Sequence, residues 1–93
     1  MAIQSFRCAD TELLYCGMQP KRFHNIEFVA QRKLQMLDSA QALFDLRAPP
    51  GNRLEALSGD RAGQHSIRIN AQWRIGFFGC LSGPSDVEIV DYH

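Results

Sequence analysis

The sequence lacks any apolar run close to the roughly 20 residues that a membrane-spanning helix requires, and no signal-peptide core follows Met1. It also lacks a paired cysteine motif, since Cys8, Cys16 and Cys80 are odd in number and contain no Cys-x-x-Cys pair. These absences argue against a membrane protein, a disulfide framework and a zinc site. We therefore expect reduced thiols, a cytoplasmic location and no contact with a membrane.

The sequence has no excess of basic charge, because ten basic and ten acidic residues cancel. The distribution is nevertheless uneven. Five arginines and two acidic residues fall within residues 47–74, whereas the last fifteen residues contain three acidic residues and no Lys or Arg. This pattern is compatible with a local basic face that binds nucleic acid and equally with scattered, solvated arginines.

Metal-ligand spacings, phosphate-binding loops, nucleotide fingerprints and internal repeats are also missing, and we expect no metal or cofactor. What remains is a chain of 93 residues that is 45% hydrophobic. That length and composition are typical of one small globular domain, which we place over residues 1–93.

The first half of the sequence favours helices. One apolar stripe recurs at three- and four-residue steps: Ile26, Val29, Ala30, Leu34, Leu37 and Ala40. This spacing predicts a helix over 26–40 that covers a sheet. We also predict a short strand over 2–7 and a helix over 11–16, with Asp10 as its N-cap and Gly17 at its end.

The second half favours strands, predicted over 65–69, 73–78 and 87–91. Alternation assigns one group of side chains to a buried face under the helices: Ile67, Ile69, Trp73, Ile75, Phe77, Val87 and Ile89. Arg68, Arg74 and Tyr92 then fall on the opposite face. Helices followed by a mostly antiparallel sheet define an α+β domain.

Several side chains have the chemistry needed to cleave RNA without a metal. Such a reaction requires a base for the 2′-hydroxyl proton, a cation beside the phosphate and an acid for the leaving 5′-oxygen. Glu55, Arg74 and His93 are candidates for these roles in that order. Tyr92 is a candidate to stack on a base or bind the phosphate.

Structural roles compete with these functional ones. From the sequence alone, a solvated carboxylate or a partner of Arg53 is the better reading of Glu55, and Arg74 is compatible with a ring contact or a pair with Glu88. Tyr92 is compatible with a residue at the rim of the core, and His93 with a mobile terminal residue. Alternation places His65 on the buried face, which predicts a hydrogen-bonded core histidine, and the segment 59–63 reads first as a turn.

The order of segments resembles the HigB-type, or plasmid-maintenance killer, toxins of the RelE/ParE superfamily. The resemblance is carried by segments 5–7 (SFR), 29–38 (VAQRKLQMLD), 49–57 (PPGNRLEAL), 59–68 (GDRAGQHSIR), 70–74 (NAQWR) and 87–93 (VEIVDYH). It implies a microbial-RNase-like fold, in which two N-terminal helices pack on one face of a curved, mostly antiparallel sheet.

The resemblance also implies an activity and partners. The activity is that of a toxin of a type II toxin–antitoxin system, a ribosome-dependent mRNA endonuclease that enters the A site of the 30S subunit and needs no metal. The implied partners are the ribosome with its mRNA and a HigA-like helix-turn-helix antitoxin, through which the complex contacts operator DNA.

Residue roles follow from the same resemblance. Glu55 stands at a position that a glutamate base fills in some relatives and a histidine in others, so it fits one branch of the superfamily. Arg74 matches the arginine that steadies the phosphate and His93 a C-terminal general acid, while Asp91 and Tyr92 complete the tail motif. Arg53, Arg61 and Arg68 are the expected RNA-binding residues.

One position departs from the family pattern, since Ser58 stands where some relatives have lysine, and Arg61 is the candidate to supply the missing cation. Two other functions share the scaffold. One is a ParE-like inhibitor of DNA gyrase that cleaves nothing, and the other is an attenuated subunit whose main role is to bind the antitoxin.

Overall fold

The computed structural model of the chain describes residues 2–79 and 81–91. These described residues form two α-helices, α1 (Ala9–Tyr15) and α2 (Glu27–Ser39), and four strands, β1 (Glu55–Ala56), β2 (Gln64–Arg68), β3 (Trp73–Phe78) and β4 (Ser85–Asp91). The strands form one sheet in the order β1-β2-β3-β4, and every neighbouring pair is antiparallel. The predicted α+β class is therefore confirmed.

Helix α2 lies within one residue of its predicted ends and buries most of the predicted stripe. Ala30, Leu34 and Leu37 are fully buried in the core. Val29 is a correction to the stripe, because 43% of its surface is exposed. Each residue of an α-helix is rotated by about 100° from the one before it, so Val29 lies at the edge of the face centred on Ala30.

Helix α1 begins earlier than predicted. Cys8, with extended backbone angles, is the N-cap, and Asp10 lies inside the first turn instead of capping it. A carboxylate is favourable in that turn because it faces the positive end of the helix dipole. The buried Thr11 hydroxyl accepts a hydrogen bond from the backbone N–H of Ile89 at 3.0 Å, which fixes α1 against β4. Gly17 follows the helix with a φ of 96°, as the sequence predicts.

The N-terminal segment 2–7 is not the regular strand that was predicted. It runs along the edge of β4 and forms one parallel bridge, between Phe6 and Val87. Regular pairing is interrupted at Asp86, which has a φ of 49° and whose N–H donates to the Ser5 hydroxyl instead of a main-chain carbonyl. The left-handed conformation of Asp86 therefore prevents segment 2–7 and β4 from forming a continuous ladder of main-chain hydrogen bonds.

The predicted alternation in the strands is confirmed for the inner face of the sheet. Ile67, Ile75, Phe77, Val87 and Ile89 are buried against the helices, with Ile69 at the margin. Trp73 is only half-buried and meets the ring of Phe23 edge-on, with centroids 5.6 Å apart. The chain reverses between β2 and β3, which pair antiparallel.

His65 occupies the predicted face but differs from the prediction in its bonding. Its ring stacks on Phe77 with centroids 6.2 Å apart. Its buried Nδ1 atom has no hydrogen-bond partner among the described residues, so packing against the Phe77 ring, and not a hydrogen bond at Nδ1, holds this part of the imidazole.

Across residues 2–79 and 81–91, no helix is long and apolar enough to cross a membrane. Within the same ranges, no three His, Cys, Asp or Glu side chains converge in a way that would hold a metal ion.

Candidate active site

The face of the sheet that points away from the helices carries a row of residues across all four strands. Glu55 on β1 lies opposite Ser66 on β2, Ser66 lies opposite Gly76 on β3, and Gly76 lies opposite Glu88 on β4. The carboxylates of Glu55 and Glu88 therefore stand at opposite ends of the row, which spans three inter-strand spacings of about 4.8 Å each. Gly76 leaves the middle of the row without a side chain.

Arg74 lies beside this row and is held by fixed acceptors. Its Nε donates to the Ser66 hydroxyl at 2.7 Å, and its Nη2 donates to the backbone carbonyl of Arg53 at 2.6 Å. Nη2 also approaches the Ser66 carbonyl at 3.3 Å. Arg74 is only 8% exposed, so the guanidinium does not project freely into solvent as a strand-face arginine usually does.

Glu55 is the accessible partner of Arg74. Its carboxylate oxygen Oε1 lies 3.6 Å from Nε of Arg74, and 46% of its side chain is exposed. The structure thus brings the predicted base and the predicted phosphate clamp together. Glu55 pairs with Arg74, and the alternative pair of Glu55 with Arg53 does not form.

The carbonyl that holds Arg74 belongs to a residue in a rare conformation. Arg53 has φ 45° and ψ 54°, in the left-handed region, at the end of a short 3₁₀ helix formed by Pro50–Asn52. The sequence singled out Arg53 for its guanidinium, but the contact in the structure is made by its main chain. The only sequence signal for this turn is the preceding Pro-Pro-Gly-Asn run, which is typical of a chain reversal.

Arg61 lies at the other end of the row. Its Nη1 is 3.2 Å from the Glu88 carboxylate and 3.3 Å from the Gln64 side-chain oxygen. Glu88, whose side chain is 15% exposed, also lies 4.0 Å from the Arg7 guanidinium. Glu88 therefore pairs with Arg61 and Arg7, and the alternative pair with Arg74 does not form.

Arg68 lies directly opposite Arg74 in the register of β2 and β3. Like charges at opposed positions repel unless a carboxylate lies nearby, and Glu55 supplies one on the neighbouring strand. The arrangement concentrates two guanidiniums and one carboxylate within a small area of the sheet.

The predicted tail motif is only partly described. Asp91 is the last described residue of β4, lies opposite Trp73, and its Oδ2 accepts a hydrogen bond from the Gln72 side chain at 3.0 Å. This register places Asp91 on the face of Trp73 and not on that of Arg74. Tyr92 and His93 lie outside the described residues, and their placement beside Arg74 stays a prediction.

Ser66 is the member of the site that sequence reasoning missed. A buried serine in the middle of a strand has no motif of its own. Its position, two residues before Arg68 and therefore on the same strand face, is the one signal that could have placed it beside Arg74.

Comparison with known proteins identifies the family of this chain. Residues 17–93 match the family model described as "RelE-like toxin of type II toxin-antitoxin system HigB". The chain therefore belongs to the HigB-like family of RelE-like toxins, as the segment order predicts.

Two curated relatives match this chain over 53 residues each, or 57% of its length. Toxin HigB-1 of Vibrio cholerae serotype O1 is 55% identical, with 56% of its own length covered. A Haemophilus influenzae protein named "Uncharacterized protein" is 40% identical, with 52% covered. The chain thus spans about half the length of the curated relatives it matches. Among solved structures, the YoeB/ParE toxin from Agrobacterium tumefaciens aligns over 100% of this chain and 99% of its own, at 20% identity and a TM-score of 0.48.

Proposed function

We propose that this chain is the toxin of a type II toxin–antitoxin system and that it cleaves mRNA on the ribosome without a metal ion. The observation that carries the proposal is the pairing of Glu55 with Arg74, 3.6 Å apart on the sheet face away from the helices. Membership of the HigB-like family supports the toxin role.

In the proposed reaction, Glu55 removes the proton of a 2′-hydroxyl and the resulting oxygen attacks the adjacent phosphorus. Arg74 stabilises the charge that develops on the phosphate oxygens. The bond from phosphorus to the 5′-oxygen breaks, and His93 donates a proton to that oxygen. The products are a 2′,3′-cyclic phosphate and a 5′-hydroxyl, and no further reactant is required.

The bonding of Arg74 supports its role as the clamp. A guanidinium that is already fixed by Ser66 and by the Arg53 carbonyl needs little reorganisation when charge develops beside it. Such pre-organised donors contribute more to the rate than mobile ones do. Arg68, opposite Arg74 in the sheet, is the best-placed second cation for a neighbouring phosphate.

Arg61 is less available than the sequence suggests, because Glu88 and Gln64 already bind its guanidinium. A phosphate would have to compete with the Glu88 carboxylate for it. This competition, with a net charge of zero, supports weak binding to free RNA and a requirement for ribosomal RNA to position the substrate.

The proposed partners follow from the same function. They are the A site of the 30S subunit with its mRNA, and a helix-turn-helix antitoxin of the HigA type that carries the complex to operator DNA. The proposed place of action is the cytoplasm, where translating ribosomes are found.

A cleavage assay on translating ribosomes tests the proposal. The purified chain is added to programmed ribosomes, the new mRNA ends are mapped, and supercoiling by DNA gyrase is measured in parallel. We expect cuts within the A-site codon, little cleavage of the same mRNA without ribosomes, and unchanged gyrase activity. Intact mRNA together with inhibited supercoiling would establish the gyrase-directed alternative instead. Intact mRNA with unaffected supercoiling would support a subunit that mainly binds the antitoxin.

A further inference from the structure

We infer that Arg53 acts on the reaction through its main chain: its left-handed conformation aims a carbonyl at Arg74 and sets the direction of that guanidinium. Arg53 is then a positioning residue in addition to a candidate RNA contact. The inference rests on the proposed function, because it concerns how the phosphate clamp of that site is oriented.

The conformation itself is the first observation. Residues other than glycine rarely adopt a positive φ, and those that do are held there by their surroundings, often at functional sites. Arg53 has a φ of 45°, and its carbonyl oxygen lies 2.6 Å from Nη2 of Arg74. An extended Arg53 would turn this carbonyl away and leave Nη2 without that acceptor.

The preceding residue shows what holds the turn in place. Asn52 is fully buried, and its Nδ2 donates to the carbonyls of Leu46 at 3.1 Å and Ala48 at 3.2 Å. Its Oδ1 accepts a hydrogen bond from the Lys33 ammonium on α2. The backbone N–H of Arg53 donates to the Pro50 carbonyl at 3.1 Å. The turn is therefore tied to the helical layer through the side chain of Asn52.

Two acceptors from independent elements thus fix Arg74. The Arg53 carbonyl comes from the loop before β1, and the Ser66 hydroxyl comes from β2. A guanidinium is planar and binds a phosphate through paired, directional N–H groups, so its plane must be correct before the phosphate arrives. Fixed contacts at two different nitrogens define that plane, and the Arg53 carbonyl is the shortest contact of Nη2, which lies farther, at 3.3 Å, from the Ser66 carbonyl.

Paired substitutions at Arg53 separate the main chain from the side chain. Arg53→Gly removes the guanidinium but adopts the left-handed conformation readily. Arg53→Val removes the same guanidinium and disfavours that conformation, because a β-branched residue rarely accepts a positive φ. Arg53→Ala, which disfavours it less, keeps the comparison with glycine available if the valine variant does not fold.

Asp86 supplies a matched control, since it is the other described non-glycine residue with a positive φ and lies at the start of β4, away from Arg74. Asp86→Val imposes the same backbone conflict there, and Asp86→Gly relieves it. Both Asp86 variants should retain the natural maximal cleavage rate, even where the valine lowers the free energy of unfolding.

The first readout is ribosome-dependent cleavage at increasing toxin concentration. We expect Arg53→Gly to raise the half-saturating concentration and keep the maximal rate. We expect Arg53→Val to lower the maximal rate as well, by roughly ten- to hundredfold, the scale associated with a misplaced catalytic group. Equal maximal rates for the Gly and Val variants would overturn the inference.

The second readout needs no activity. Hydrogen exchange at the Arg74 guanidinium, followed by ¹⁵N NMR in the free chain, should be faster in Arg53→Val than in Arg53→Gly. Equal exchange rates would show that the carbonyl does not hold Arg74 and would also overturn the inference. If the natural chain cleaves nothing on ribosomes, the proposed function fails and the catalytic role of Arg53 fails with it. The exchange rates would then still report whether the carbonyl holds Arg74.

Discussion

Replacing Glu55 with glutamine should lower the rate of mRNA cleavage on the ribosome by about a hundred- to ten-thousand-fold, the usual contribution of a general base. Glutamine keeps the size of the side chain and an oxygen that can face Arg74, but an amide does not accept the 2′-hydroxyl proton. The fold should survive, because 46% of the Glu55 side chain is exposed and β1 lies at the edge of the sheet. The measurement is single-turnover cleavage of mRNA in programmed ribosomes at saturating toxin.

Asp60→Asn is the matched control for Glu55→Gln. It also removes one exposed carboxylate, from the neighbouring turn Gly59–Arg61, and so changes the net charge equally. Asp60→Asn should cleave at the natural rate. Comparable cleavage by the Glu55→Gln chain and the natural chain would remove Glu55 from the reaction and leave the base unassigned.

Removing His93 should lower the maximal cleavage rate by about a hundred- to ten-thousand-fold, the usual contribution of a general acid. An imidazole is suited to donate a proton near neutral pH. Position 93 lies outside the described residues, so this prediction depends on the family resemblance and on β4, which extends as far as Asp91 beside the strand of Arg74. Cleavage by the chain without His93 is measured under the same single-turnover conditions.

Two controls accompany the removal of His93. His24→Asn removes an exposed histidine from the segment before α2 and should leave cleavage unchanged. The midpoint of urea unfolding of the shortened chain should stay close to that of the natural chain, because the described core forms without position 93. If the shortened chain cleaves as fast as the His24→Asn chain, the leaving oxygen takes its proton from another group.

The regular parts of the fold follow from sequence periodicity. Helix α2 repeats its buried residues every three to four positions, and β3 begins and ends at the predicted residues. The N-terminal part was predicted less well. The way in which segment 2–7 pairs with β4 depends on the left-handed backbone of Asp86 and on the Ser5 hydroxyl, which lie near opposite ends of the sequence.

The candidate site was predictable only as a set of side-chain types. Chemistry identified Glu55 and Arg74, and strand alternation placed Arg74 on the face away from the helices. The Arg53 carbonyl that Arg74 donates to was not predictable, because every residue carries the same main-chain carbonyl. The left-handed turn that aims this carbonyl produces no periodic pattern in the sequence. The partner of Arg61 was missed for a related reason, since Glu88 meets it across a gap of 27 residues.

The most direct test of the account uses a chemical change in the substrate. An mRNA with a single 2′-deoxy nucleotide immediately before the scissile phosphate removes the hydroxyl whose proton Glu55 is proposed to take. The natural chain should leave this mRNA uncut at that position on programmed ribosomes, while the all-ribose mRNA is cut to a 2′,3′-cyclic phosphate and a 5′-hydroxyl. Cleavage of the deoxy-substituted mRNA at the same bond and rate would contradict the proposed role of Glu55 and Arg74.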